Sequence, residues 1–170
     1  MTQRRKADRG ETMMSTRNSV PEEARARMVE LLNQRLADTM DLYSQTKQAH
    51  WNVKGPNFYQ LHELFDELAA YLQGAVDLIA ERATALGGFA CGTVRQAAAA
   101  SQIQEYPSGK MADMEHVAAL ADRFGAYAAV VREGIDAAEK AEDIGTADLL
   151  TEIVREVDKH LYFLESHLQA

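Results

Sequence analysis

A chain of 170 residues, 46% hydrophobic and 26% charged, is long enough for one domain with a substantial core and has the balance of a soluble globular protein. No charge-free apolar stretch approaches the roughly 18 residues of a membrane span, and the N-terminus lacks the apolar core of a signal peptide, so the cytoplasm is the expected compartment. Cys91 alone excludes an intrachain disulfide, and the formal charge of −8 is uneven: residues 1–20 carry Arg4, Arg5, Lys6, Arg9 and Arg17 against Asp8 and Glu11, a net of +3 that leaves −11 on the rest.

The chain divides at that charge boundary into a flexible basic tail, 1–20, and a helical domain, 21–170. Two readings of the tail stand open. Tethered arginines neutralise nucleic-acid phosphates even when the body repels them, and a short terminus of this composition is also an ordinary disordered end.

Pro21 suits an opening turn, and Glu22 and Glu23 complement the helix dipole, so a first helix runs from about Pro21 to Asn52. Its apolar rhythm, Met28, Leu32, Leu36, Met40 and Tyr43, carries on to His50 with the same inward phase. Val53 to Pro56 is a turn. The second helix runs from Asn57, a suitable N-cap, to Leu86, where Gly87 and Gly88 supply left-handed conformations. From Gly87 to Gly109 the chain has four glycines and Pro107, with a short helical piece at Val94–Ser101 that Thr93 can cap. The third helix, about Lys110 to Ala141, repeats apolar residues at Met114, Val117, Leu120, Phe124, Tyr127, Val131 and Ile135. The fourth begins at Thr146 as N-cap and repeats at Leu150, Ile153, Val157, Leu161, Leu164 and Leu168. No segment alternates as a strand does. Two helical hairpins joined by a long crossover with a short extra helix make an all-α, ferritin-like four-helix bundle.

Five residues between 50 and 81 have metal-binding chemistry. At 100° per residue His62, Asp66, Asp77 and Glu81 fall at roughly 0°, 40°, 60° and 100°, one stripe of the second helix. His62 and Asp77 are nevertheless roughly 22 Å apart along the axis, far beyond the reach of one ion. The stripe is symmetric about a point between Tyr71 and Leu72, with His62 mirroring Glu81 and Asp66 mirroring Asp77. Two antiparallel copies crossing there, past small Ala69, Ala70 and Gly74, bring complementary halves together in two equivalent sites. His50 lies six residues before Pro56 and His62 six after, so the hairpin sets both imidazoles level. Mixed imidazole and carboxylate ligation suits Fe(II) and leaves open positions for an oxidant. Trp51, beside a ligand, has two open roles: intercepting stray oxidising equivalents, or closing the helix end. His116, His160 and His167 lack such partners and read as surface or core-edge residues. Glu139, Glu142, Asp143 and Asp148 are candidates to line a pore attractive to cations, and Glu63 and Glu67 to nucleate mineral.

His50-Trp51-Asn52-Val53-Lys54-Gly55 with Leu61-His62 and Asp66 resembles the first signature of the Dps family, DNA-binding proteins from starved cells. Val76-Asp77-Leu78-Ile79-Ala80-Glu81-Arg82 with Leu86-Gly87-Gly88 resembles the second, and Thr146-Ala147-Asp148-Leu149-Leu150 and Asp158-Lys159-His160-Leu161 resemble its last helix. The resemblance implies a homododecameric shell that oxidises Fe(II) with hydrogen peroxide or oxygen, stores the ferric product and protects DNA. It implies two irons at each interface site: Asp77 and Glu81 of one subunit with His50 of its neighbour hold the first, His62 and Asp66 the second, more weakly. It also allows a role chiefly in DNA compaction through the basic tail, with association to the nucleoid.

Overall fold

The computed structural model describes residues 13–169, of which all regular elements are helices. They are α1 (Glu22–Asn52), α2 (Phe58–Ala85), α3 (Val94–Ala100), α4 (Asp113–Lys140) and α5 (Ile144–Ser166). The two hairpins α1–α2 and α4–α5 pack along their lengths, α4 lies against α1, α5 against α2, and α3 rests on α1. The expected crossover with its short extra helix is present. Residues 1–12 of the basic tail lie outside the described residues. No helix among the described residues is long and apolar enough to cross a membrane.

One apolar core fills the bundle, and the periodic residues build it. Leu32 and Leu36 from α1, Phe65, Leu68 and Leu72 from α2, Leu120 and Phe124 from α4, and Ile153, Val157 and Leu164 from α5 are all essentially inaccessible. Leu168, expected to extend the α5 stripe, is exposed because the helix has ended.

Most polar groups inside this core are tied to backbone or to one another, as burial demands. The Tyr127 phenol and Thr39 hydroxyl share a hydrogen bond of 2.7 Å, and Arg35 Nη1 donates to the Val130 carbonyl at 2.7 Å, joining α1 to α4. Asp38 Oδ1 accepts from the Gln102 amide at 2.8 Å and Asp41 Oδ2 from Ser101 Oγ at 2.7 Å, which straps the crossover across α1.

Several helix ends differ from the sequence expectation. Thr146 is not the N-cap of the last helix; Asp143 is, accepting from Thr146 N at 3.1 Å and from Thr146 Oγ1 at 2.6 Å, so the cap lies three residues earlier than expected. Periodicity alone sets α4 off from Lys110, but the extended crossover continues to Ala112. Gly87 is left-handed, φ +88°, whereas Gly88 is not; a Cβ there would stand 2.4 Å from Val29 Cγ1, so Gly88 is small for packing rather than for backbone conformation. Asn57 occupies the N-cap position of α2 without a side-chain cap: its Oδ1 accepts from Gln60 Nε2 at 3.0 Å and its Nδ2 donates to Asp113 Oδ2 at 3.1 Å.

Candidate metal centre

His50 ends α1, His62 opens the second turn of α2, and the turn between them reverses at Gly55, φ +133°. The two imidazoles stack, centroids 3.8 Å apart and planes 20° from parallel. Each is held by the other's backbone: His50 Nδ1 lies 2.8 Å from the His62 carbonyl and His62 Nδ1 lies 3.0 Å from the His50 carbonyl. A carbonyl oxygen only accepts, so both Nδ1 atoms carry the proton and, in the neutral rings, both Nε2 atoms keep their lone pairs. No hydrogen bond to either Nε2 forms among the described residues. This is the arrangement in which histidine ligates a metal, with tautomer and ring direction set by the backbone.

Asp66, one turn beyond His62, lies 3.9 Å from His50 Nε2 through Oδ1. The same oxygen accepts from Lys47 Nζ at 2.5 Å. That hydrogen bond is the main reason the Asp66 carboxyl stays below its ordinary range; partial desolvation opposes it, and the charges of Lys47, His50 and His62 add to it. Lys47 escaped the sequence reading. It sits three residues before His50 and therefore on the same face of α1, which was the available signal.

Asp77 and Glu81 are exposed on the outward side of α2, and neither carboxylate has a partner among the described residues. Between the two ends of the stripe the surface includes the small Ala70 and Gly74 beside Gln73, and a Cβ built on Gly74 meets nothing within 4 Å. Ala69, expected to join them, is 1% exposed and turned into the core. Within one chain no three His, Cys, Asp or Glu side chains converge among the described residues. The α1–α2 hairpin pairs His50 with His62 and sets Asp66 3.9 Å from His50 Nε2 at one end, while Asp77 and Glu81 lie toward the other end of α2, and the two ends stay apart.

Arg82, adjacent to Glu81, points the other way. Its Nη2 donates to Asp143 Oδ1 at 2.5 Å and its Nε to Thr146 Oγ1 at 3.0 Å, locking the end of α2 to the α4–α5 corner. Asp143 is 1% exposed, so it belongs to this lock rather than to a pore lining, while Glu139, Glu142 and Asp148 remain exposed. Two histidines assigned to the surface or core edge are buried: His116 and His160 are each 2% exposed. His160 packs edge-on to Tyr71 with centroids 5.1 Å apart. His167 is exposed. Trp51 is 62% exposed with Lys47 Nζ 6.0 Å from its ring centre, so it does not close the helix end.

Comparison with known proteins agrees with this architecture. The family model for the ferritin-like domain matches residues 29–170. A DNA protection during starvation protein of Agrobacterium fabrum is 40% identical over 154 residues, which cover 91% of this chain and 95% of that protein. Among solved structures, DpsC from Streptomyces coelicolor superposes with a TM-score of 0.89 at 29% identity, covering 94% of this chain and 93% of that one. A Dps protein from Vibrio cholerae O1, described as a member of a broad superfamily of ferritin-like diiron-carboxylate proteins, superposes with a TM-score of 0.85 at 26% identity, covering 93% of this chain and 99% of its own. With the helical hairpins, the crossover and the coverage in agreement, the chain belongs to the Dps family of ferritin-like proteins.

Proposed function

We propose that two copies of this chain pair α2 against α2 in antiparallel fashion and that each interface holds two sites at which Fe(II), the substrate, is oxidised. Asp77 and Glu81 of one copy with His50 of the other bind the first ion; His62 and Asp66 bind the second. The observation that carries this reading is the His50–His62 stack, in which two Nδ1–H groups bonded to carbonyls leave two Nε2 lone pairs for cations. The unpartnered carboxylates of Asp77 and Glu81 at the mirrored end of the stripe supply the missing half. Carboxylates stabilise the extra positive charge as Fe(II) becomes Fe(III). With both ions in place, one peroxide takes one electron from each and two protons from solvent, its O–O bond breaks and it leaves as two waters, so no hydroxyl radical is released. Further pairing of such dimers into a dodecameric shell encloses a cavity for ferric mineral, with Glu63 and Glu67 as nucleation candidates, and the net result is protection of DNA from oxidative damage in the cytoplasm. Lys47, bonded to Asp66, competes with the second ion and supports its weaker binding.

The test is peroxide-dependent Fe(II) oxidation by His50→Ala and Asp77→Ala. Both variants are expected to assemble and to oxidise iron slowly; wild-type rates in both would remove the assigned sites. A second reading, DNA compaction by the basic tail, rests on the +3 charge of residues 1–20. Met14 N donates to the Gly87 carbonyl at 2.8 Å, which ties residue 14 to the C-terminal end of α2.

A further inference from the structure

The crossover returns to the body at Tyr106, immediately before Pro107. There the phenol meets the buried imidazole of His116, in the first turn of α4, at 2.7 Å from Oη to Nδ1. The rings are nearly parallel, 15° apart, with centroids 6.1 Å from each other, and the short Oη–Nδ1 distance joins the phenol to a ring nitrogen that can hold a lone pair. Burial pushes the Tyr106 phenol up to about 12 and lowers the His116 imidazole from its ordinary 6.5, against the opposing pull of Glu115 and Asp113. Near neutral pH the pair is therefore a protonated phenol beside an uncharged imidazole. Tyr106 also lines an open cleft of about 670 Å³ between α1 and the crossover, and Lys47 and Trp51 line the same cleft. Tyr106 thus borders the solvent space that Lys47, the hydrogen-bond partner of Asp66, also lines, with His116 buried behind it.

We propose that Tyr106 and His116, with the imidazole in its Nε2–H tautomer, form a proton-coupled electron donor that quenches one-electron oxidants reaching this cleft. The oxidant is an oxygen-centred radical such as the hydroxyl radical, the product when peroxide meets a single Fe(II) without its neighbour. Tyr106 loses one electron, its O–H bond breaks, and an N–H bond forms at His116 Nδ1. The hydroxyl radical takes the electron and then the proton released by the imidazolium, and becomes water. What remains is a neutral phenoxyl radical and neutral His116. The next Fe(II) returns an electron, solvent returns a proton, and the phenol is restored.

Two features make the imidazole necessary. The Arg123 guanidinium lies over the Tyr106 ring, Cζ 5.4 Å from its centre, fixed by bonds to Gln45 Oε1, the Ala119 carbonyl and the Glu105 carbonyl. A cation in that position disfavours a positively charged phenol radical, so the proton must leave with the electron. Glu115 and Asp113 in turn stabilise the imidazolium formed in passing. Trp51, at 62% exposure, is the most open aromatic of this cleft, and an electron from Tyr106 repairs it when it is oxidised.

The proposal rests on the iron-oxidising reading only for the source of the oxidant, so the test uses iron-free, full-length protein. Tyr59→Phe and Tyr162→Phe first remove the two exposed phenols, 71% and 64% accessible. A light flash then generates a ruthenium(III) polypyridyl oxidant in solution, and the protein radical is followed by electron paramagnetic resonance and visible absorption. A long-lived tyrosyl signal is expected, absent in Tyr106→Phe, formed on the order of a hundredfold more slowly in His116→Gln, which bonds the phenol but takes no proton, and slowed in heavy water. The same tyrosyl signal in Tyr106→Phe overturns the proposal, as does formation without a solvent isotope effect, which is read on the background protein and needs no folded His116 variant. Loss of ferroxidase activity in His50→Ala with an unchanged flash signal separates this pair from the metal site.

Discussion

An imidazole binds a cation only through a nitrogen that holds a lone pair, and the backbone of the α1–α2 hairpin makes that choice for both His50 and His62. The carboxylate beside them is less free. Replacing Lys47 by methionine removes the cation that now occupies Asp66 and keeps much of the aliphatic stem; anaerobic calorimetric titration should then show the weaker ion binding about two- to fivefold more tightly, the worth of a solvent-exposed ion pair. Unchanged affinity would mean that Lys47 and the ion do not compete. His160 carries a pH dependence. Burial, with help from Lys159 and against Glu156 and Glu67, lowers its pKa below 6.5, and its Nδ1 has no hydrogen-bond partner. Between the folded and unfolded values the unfolded chain holds a proton that the folded chain lacks, so this site contributes full stability above pH 6.5 and progressively less as pH falls below it. The melting temperature of His160→Leu is therefore expected to fall less than that of the wild type between neutral pH and about pH 5. Equal falls would move the acid sensitivity to other groups. The position of His160 was hidden in the sequence because a histidine on a helix face says nothing of which neighbours cover it.

At the level of elements, apolar periodicity was sufficient to place all four long helices and their inward faces, and Thr93 was rightly read as a cap: it accepts from Gln96 N while the Gln96 side chain accepts from Thr93 N. Helix ends were less legible, since Asp143 and Thr146 are both good capping residues and only the contact with Arg82, 61 residues away from Asp143, decides between them. Gly88 shows the same limit. Its neighbour Gly87 needs a left-handed backbone, whereas Gly88 is needed because Val29 fills the space of a side chain. Gly88→Ala is expected to cost about 1–3 kcal/mol through overpacking against a branched, stiff side chain. Its melting temperature should drop, and Val29→Ala in the same chain should recover part of the loss. No recovery would place the cost in the backbone.

For the whole molecule, helix phase places His62, Asp66, Asp77 and Glu81 on one stripe of α2 and gives His50 an inward phase on α1, whereas in the structure Asp66, Asp77 and Glu81 are exposed and the two ends of the stripe stay apart within a chain. Interface geometry is not written in one protomer, and the assignment of shared sites makes a combinatorial prediction. Mix unfolded His50→Ala and Asp77→Ala chains in equal amounts, refold and assemble them. Half of the pairs contain one of each, and in such a pair one site has lost both residues while the other has both, so about a quarter of the wild-type sites should return. Activity no higher than in either variant alone would show that each chain completes its own site. The arm is tested at this scale too: deleting residues 1–12 should flatten the dependence of DNA affinity on salt, because each lost phosphate contact removes about one unit of slope. An unaltered slope would leave the arm without a part in binding.

The crossed hydrogen bonds between His50 and His62 have a further consequence. Each ring steadies its counterpart, like two hands gripping opposite wrists, so truncating one slackens the other as well. If the proposed sites are right, deleting either imidazole perturbs both of them, and losses from the single and double deletions will not add. Occupancy of one ion should also stiffen the seat of the second, giving filling of the pair a cooperative component built into a single hairpin.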